Sequence, residues 1–187
     1  MLSIVTIPTP SLRIRSTEVD RDVLYTKETQ AFIDAIIPAM YDDDGIGLAA
    51  PQVGNNIRVC VIGKEAINMT ERPRFSKKIT VADDLILVNP VWTKLSRKTN
   101  WDIEGCLSVP KVYGDVERYT DIAVKAIDRH GKEIEFEAHK FFARVVQHEV
   151  DHLDGILFID RAKDIHSIDD EYARERLSLV HAERNVL

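Results

Sequence analysis

The segment His148-Glu149-Val150-Asp151-His152 constrains this chain more than any other. On an α-helix, residues four apart are rotated by about 400°, so the two imidazoles stand one above the other on one face. Both can reach a single metal ion. Glu149 is turned about 100° aside, where it can approach the ion's open position without being a ligand. A Lewis acid with a carboxylate beside its bound water is a hydrolytic arrangement. The plainer reading is two histidines and a glutamate on a solvated helix face. The buried-looking run from Phe141 to Val146 just before the segment weakens it.

A catalytic centre of this type needs a third protein ligand and an open fourth position. Three positions compete for the role. In one protease pattern the helix continues through a glycine to a third histidine. Gly155 stands at the proper offset, but the ligand position is Phe158, which cannot bind metal. Glu171 follows His152 by 19 residues and is a second candidate. Its setting, Asp169-Asp170-Glu171, also reads as acidic residues at a helix N-terminus, where the helix dipole favours them. The third candidate is Cys106, within Glu104-Gly105-Cys106-Leu107-Ser108. A thiolate is a strong, soft ligand, and the preceding glycine lets the backbone come close to another group. Cys60, inside a predicted strand, reads as a small buried hydrophobe.

Around this segment the pattern predicts an α+β fold, with short, mostly antiparallel strands packed around a central helix over 139–153 that carries the HExxH motif. Strands are predicted at 57–62, 85–88, 91–96, 121–127 and 132–138, with Asn89-Pro90 ending the second and Asp128 to Gly131 turning between the last two. A helix is predicted over 24–43, kinked or shortened by Pro38. The glycines and proline of Gly45-Ile46-Gly47-Leu48-Ala49-Ala50-Pro51-Gln52 read as a loop entering a strand. Residues 68–78 read as an exposed loop and 168–185 as a polar helix or tail. The 187 residues suit one domain, expected over 1–165 with a C-terminal appendage over 166–187. A formal charge of −6 argues against general nucleic-acid binding, DNA included. Two cysteines are too few for a disulfide scaffold, and no apolar run reaches the roughly 18 residues of a membrane span. With no secretory signal at Met1 to Ile7, a cytoplasmic protein is expected.

Three segments together resemble the peptide deformylases. They are Gly45 to Gln52, Glu104 to Ser108, and Gln147-His148-Glu149-Val150-Asp151-His152, in the family's order and separation. The stretch Ile7 to Arg13 is similar to the family's opening segment, and the resemblance spans roughly residues 1–160. It implies a metal-dependent hydrolase that removes the formyl group from the N-terminal methionine of new proteins, acting on N-formylmethionyl peptides and nascent chains. It implies Cys106, His148 and His152 as ligands of one divalent ion, Fe(II) natively, with zinc or nickel able to replace it. It implies Glu149 as general base and acid for metal-bound water. The Gln52 side-chain amide and the Leu107 backbone N–H would be donors to the formyl oxygen, and Gly47 would let the substrate backbone approach. Ile46, Phe141 and Val145 are candidates for a methionine pocket, and Glu104 for a partner of Arg118. Tyr113 stands where many members carry an arginine that helps hold the peptide. In some relatives a C-terminal helix docks on the ribosome. Here residues 168–187 hold three arginines against five acids, which weakens the electrostatic case for it. The enzymatic rival is a zinc endopeptidase with Glu171 as third ligand.

Overall fold

The computed structural model describes residues 2–68 and 83–167. The tail at 168–185, Glu171 within it, and all but the first residue of the loop at 68–78 lie outside the described residues.

Helix α1 (Arg21–Leu24) is a single turn, and α2 (Lys27–Asp42) starts afresh after it. The expected helix over 24–43 is thus divided, because Thr26 caps α2: its side chain accepts the Thr29 N–H at 3.2 Å. Ile33, Ile36 and Met40 then share one buried face. Pro38 lies inside α2 without ending it. Burial of Ala39 and Met40 beyond it offsets the roughly 3 kcal/mol that an interior proline costs.

A five-stranded sheet has the order β1 (Gly47–Ala49), β2 (Val59–Ile62), β3 (Leu85–Lys94), β6 (Asp121–Ile127), β7 (Glu133–His139), every neighbour antiparallel. Its two faces explain the unbroken apolar run of β2. Val59 and Val61 pack with α2 residues such as Ile33 and Met40. Cys60 and Ile62 face the opposite way, onto Phe142, Val146 and Val150 of α4 (Lys140–Leu153). Cys60 is fully buried there, as its sequence setting suggested. A short helix, α3 (Lys64–Asn68), leaves β2.

A second sheet has the order β4 (Thr99–Cys106), β5 (Val109–Tyr119), β8 (Lys163–Ser167), also antiparallel. Leu107 and Ser108 form the two-residue turn between β4 and β5. Helix α4 contacts strands of both sheets. Gln147 ties it to β5: its Oε1 accepts the Tyr119 N–H at 3.1 Å and its Nε2 donates to the Tyr119 carbonyl at 2.8 Å.

The structure corrects several expectations. Residues 45–52 contain strand β1 itself, followed by a 3-10 turn over Ala50–Val53. The strands expected at 85–88 and 91–96 are one strand, β3; Asn89 takes a positive φ of 52° at a register shift, and pairing resumes at Val91. Strands are not uniformly short, since β3 has 10 residues and β5 has 11. Strand β8, which the sequence reading did not expect, pairs with β5 through Ser167.

Asp160 joins the start of the chain to the 3-10 turn Phe158–Asp160. Its carboxylate takes the Leu157 N–H at 2.8 Å and the Arg13 guanidinium. Burial opposes ionisation here, but these two donors hold the carboxyl below its ordinary value. A depressed folded value stabilises the fold above the unfolded one, near 4, and this contribution fades as pH falls through the folded value. Asp160→Asn is therefore expected to melt below the wild type at pH 7, with the gap closing below about pH 4. Thermal melts at several pH values check this.

Candidate metal centre

Helix α4 places His148 and His152 one turn apart, with ring centroids 5.0 Å from each other. Strand β4 delivers Cys106 at its last residue. Cys106 Sγ lies 3.2 Å from His152 Nε2, and the candidate ligand atoms of Cys106, His148 and His152 all lie within 4.8 Å of one another. Phe158, the position that a third histidine would need, is buried with its ring stacked 6.4 Å from that of His148.

The second imidazole nitrogen of His148 is committed. Its Nδ1 sits 2.9 Å from Glu104 Oε2, which leaves Nε2 toward the cluster. Glu104 is itself gripped by Arg118, with Nε and Nη2 each donating at 2.9 Å, and by Arg144 Nη1 at 2.7 Å. Arg118 also donates to Asp151, which takes two further bonds from Arg161 at 2.6 and 2.8 Å. Glu104, Arg118, Arg144 and Asp151 are all buried. Burial alone would raise the Glu104 carboxyl, yet His148 and Arg118 hold it well below the usual carboxylate range. Burial, with the charges of His148 and Arg118, pushes His152 well below the ordinary imidazole value, so it is neutral at pH 7 with a lone pair to donate. The Glu104–Arg118 pair matches the sequence reading. Arg144, Asp151 and Arg161 were not anticipated. A signal existed for two of them: Arg144, His148 and Asp151 fall at i, i+4 and i+7, one stripe of the helix.

Glu149 is buried on another side of α4. Burial pushes its carboxyl up to about 7. Among the described residues its Oε2 has no hydrogen-bond partner, and neither does His152 Nδ1. Gly47 lies directly against this carboxylate: a Cβ built there would be 2.4 Å from Glu149 Oε1. The feature of Gly47 that the structure explains is room for Glu149, a close approach that only glycine allows.

Gln52, in the 3-10 turn after β1, aims its amide at the cluster. Its Oε1 accepts the Ala49 N–H at 2.8 Å, and its Nε2 lies 3.5 Å from Cys106 Sγ. Leu107 follows Cys106 in the β4–β5 turn. These groups border a cleft of about 520 Å³ whose walls include Ile46, Phe141, Val145 and Tyr113. The Tyr113 ring covers Gly105, where a Cβ would be 2.6 Å from Tyr113 Cε1. The donor set fits a metal ion: one sulfur and two imidazole nitrogens converge, with Cys106 and His148 on the wall of the cleft, beside a buried carboxylate oxygen that has no partner among the described residues. No described helix is long and apolar enough to cross a membrane.

Comparison with known proteins points the same way. The profile of the polypeptide deformylase family matches residues 1–167. Peptide deformylase 1 of Vibrio vulnificus (strain YJ016) is 45% identical over 161 residues, 86% of this chain and 85% of that protein. The crystal structure of peptide deformylase from Thermotoga maritima superposes with a TM-score of 0.74 at 33% identity, covering 87% of this chain and 98% of the other. The class I type b peptide deformylase from Acinetobacter baumannii, in its Met-Ala-Ser-bound crystal structure, gives 0.73 at 31% identity, covering 86% and 98%.

Proposed function

The chain belongs to the polypeptide deformylase family, and on that footing we propose that Cys106, His148 and His152 hold its metal while Glu149 handles the protons of the reaction. The activity is that of the family: metal-dependent hydrolysis that removes N-formyl groups from nascent chains. The observation that carries the assignment of residues is the meeting of one cysteine sulfur and two imidazoles beside the buried Glu149 oxygen that has no partner among the described residues.

When bound, the metal supplies a Lewis acid that makes water nucleophilic near neutral pH. The remaining work falls to the chain. Glu149, with a carboxyl raised to about 7, can accept a proton from water and return it to the departing amine. Negative charge develops on the formyl oxygen, and in this reading the Gln52 amide and the Leu107 N–H donate to it. Each such donor contributes roughly 3 kcal/mol. Ile46, Phe141 and Val145 offer an apolar wall for the methionine side chain, whose burial contributes about 1.5–3 kcal/mol. Glu104 holds the His148 ring in the tautomer that leaves Nε2 free for the ion. The Acinetobacter baumannii relative bound to Met-Ala-Ser supports a peptide ligand that begins with methionine, the residue that deformylation leaves.

In this reading α4 is the central helix that bears the HExxH ligands, and residues 1–165 with the rest of β8 form the catalytic domain. Residues 168–187 are an appendage. The ion is Fe(II), with zinc or nickel as substitutes that the same soft and borderline ligands accept. The enzyme acts in the cytoplasm, where formylated chains are made, and any ribosome contact belongs to residues 168–187.

The test is formate release from a formyl-Met peptide, assayed without oxygen, with metal content measured on the same sample. Cys106→Ser should strip most of the metal and the activity, whereas Glu171→Gln should leave both within about twofold. The reverse pattern would establish the endopeptidase-type ligand set instead.

A further inference from the structure

Gln52 and Ser108 come from segments more than 50 residues apart, yet both are buried, at 2% and 0% exposure, with Gln52 on the wall of the cleft. A glutamine side chain has one carbonyl acceptor and two N–H donors. The Gln52 carbonyl is taken by the Ala49 N–H at 2.8 Å, which settles which end of the side chain is the amide. The amide nitrogen has two neighbours: Ser108 Oγ at 3.3 Å and Cys106 Sγ at 3.5 Å. Its two hydrogens diverge in the amide plane. One committed to Ser108 leaves the other directed to the Cys106 side, where the cleft opens.

The backbones beneath these side chains are pinned as well. The Val5 N–H donates to the Gln52 carbonyl at 2.8 Å, and the Ile7 N–H donates to the Ser108 carbonyl at 3.0 Å. One short stretch near the start of the chain thus holds the Gln52 turn and the Cys106–Ser108 turn in register. The separation of the two side chains is set from behind, and the Ser108 hydroxyl transmits it to the Gln52 amide.

We propose that Ser108 is a positioning residue for the deformylation reaction: its hydroxyl takes up one hydrogen of the Gln52 amide so that the other stays aimed at the formyl oxygen. This rests on the reading of Gln52 as a donor to that oxygen. Ser108 is fully buried, so it acts through Gln52 and not on the substrate. A hydroxyl that merely satisfied a buried amide would affect stability alone. A positioning hydroxyl affects the chemical step, because a donor displaced by a fraction of an ångström no longer matches the transition state.

The experiment is a double-mutant cycle on the metal-loaded enzyme with Gln52→Ala, Ser108→Ala and both together, metal content being measured on every sample. Gln52→Ala should lower kcat about 100-fold. Ser108→Ala should lower kcat on the order of tenfold, with KM and metal content within about twofold of wild type. The double variant should be no slower than Gln52→Ala alone. Ser108→Thr, which keeps the hydroxyl, should recover most of the loss. The Gln52 side-chain amide protons, assigned in NMR spectra by their absence in Gln52→Ala, should exchange with solvent faster in Ser108→Ala. If Ser108→Ala does not fold, Ser108→Cys takes its place in the cycle, as a near-isosteric side chain with a weak acceptor. Should Ser108→Ala slow the Gln52→Ala enzyme by the same factor as the wild type, the positioning role is wrong while the donor role of Gln52 stands. Should Gln52→Ala leave kcat intact, the donor role itself fails, and the role of Ser108 with it.

Discussion

Glu149→Gln is expected to lower formate release by about 100- to 10,000-fold while the protein keeps its fold and its metal. The substitution is nearly isosteric and removes only the ability to exchange a proton. Stability should hold or rise slightly, because a buried carboxylate whose Oε2 lacks a partner carries an uncompensated desolvation cost. The loss should fall on kcat, since proton transfer belongs to the transition state and not to peptide binding. Gly47→Ala reaches the same group from outside. The added methyl would sit 2.4 Å from Glu149 Oε1, so the carboxylate must shift. A displacement near 1 Å is enough for about a 100-fold loss. Steady-state kinetics with metal analysis checks both variants. Glu149→Gln activity within tenfold of wild type would remove Glu149 from the mechanism.

Much of this centre was legible because helical periodicity is strict. Once 139–153 reads as a helix, His148 and His152 share a face, and Glu149 must lie to one side; the structure has all three so placed. Cys106 was harder. Its meeting with His152 depends on the β4–β5 hairpin, a pairing that no local pattern announces. That hairpin went unread for a physical reason. A half-buried strand usually alternates apolar and polar residues. Here the inward positions of β4 and β5 include Glu104 and Arg118, which are buried because they pair with each other. A polar-looking stretch with buried charges gives the eye no period of two. Strand β3 was split in the reading because Asn89-Pro90 normally ends a strand; the register shift there absorbs the proline, and the Asn89 side chain bonds both the N–H and the carbonyl of Val19 at 2.9 Å. The close fit of Gly47 to Glu149 was hidden for another reason. It joins residues about 100 apart through a contact of backbone with side chain, which leaves no trace in composition or spacing.

The same buried charges give the largest stability effect expected in the molecule. Arg118 stands between two buried carboxylates, Glu104 and Asp151, and donates to both. Arg118→Met keeps much of the volume and removes the cation. Arg144 and Arg161 still bond one carboxylate each, but neither can bridge the two. Breaking a buried ion pair from one side costs about 3–5 kcal/mol, because the partner charge stays behind without compensation. At about 2–4 °C per kcal/mol for a chain of this size, the midpoint of thermal unfolding should fall by roughly 10 °C. Arg118→Lys should fall in between: it retains a charge but cannot make the two-pronged contact with Glu104. As a surface comparison, Lys125→Met removes the exposed Lys125–Glu135 pair at 3.5 Å and should cost less than about 1 kcal/mol. The network also reaches the metal. With Arg118 gone, Glu104 loses two of the bonds that orient it toward His148, and metal affinity should drop about 10- to 100-fold. Melting curves and metal titrations on these variants separate the two effects. An Arg118→Met protein that melts with the wild type would mean that Arg144 and Arg161 suffice to neutralise the pocket, and that Arg118 contributes no more than a surface cation does.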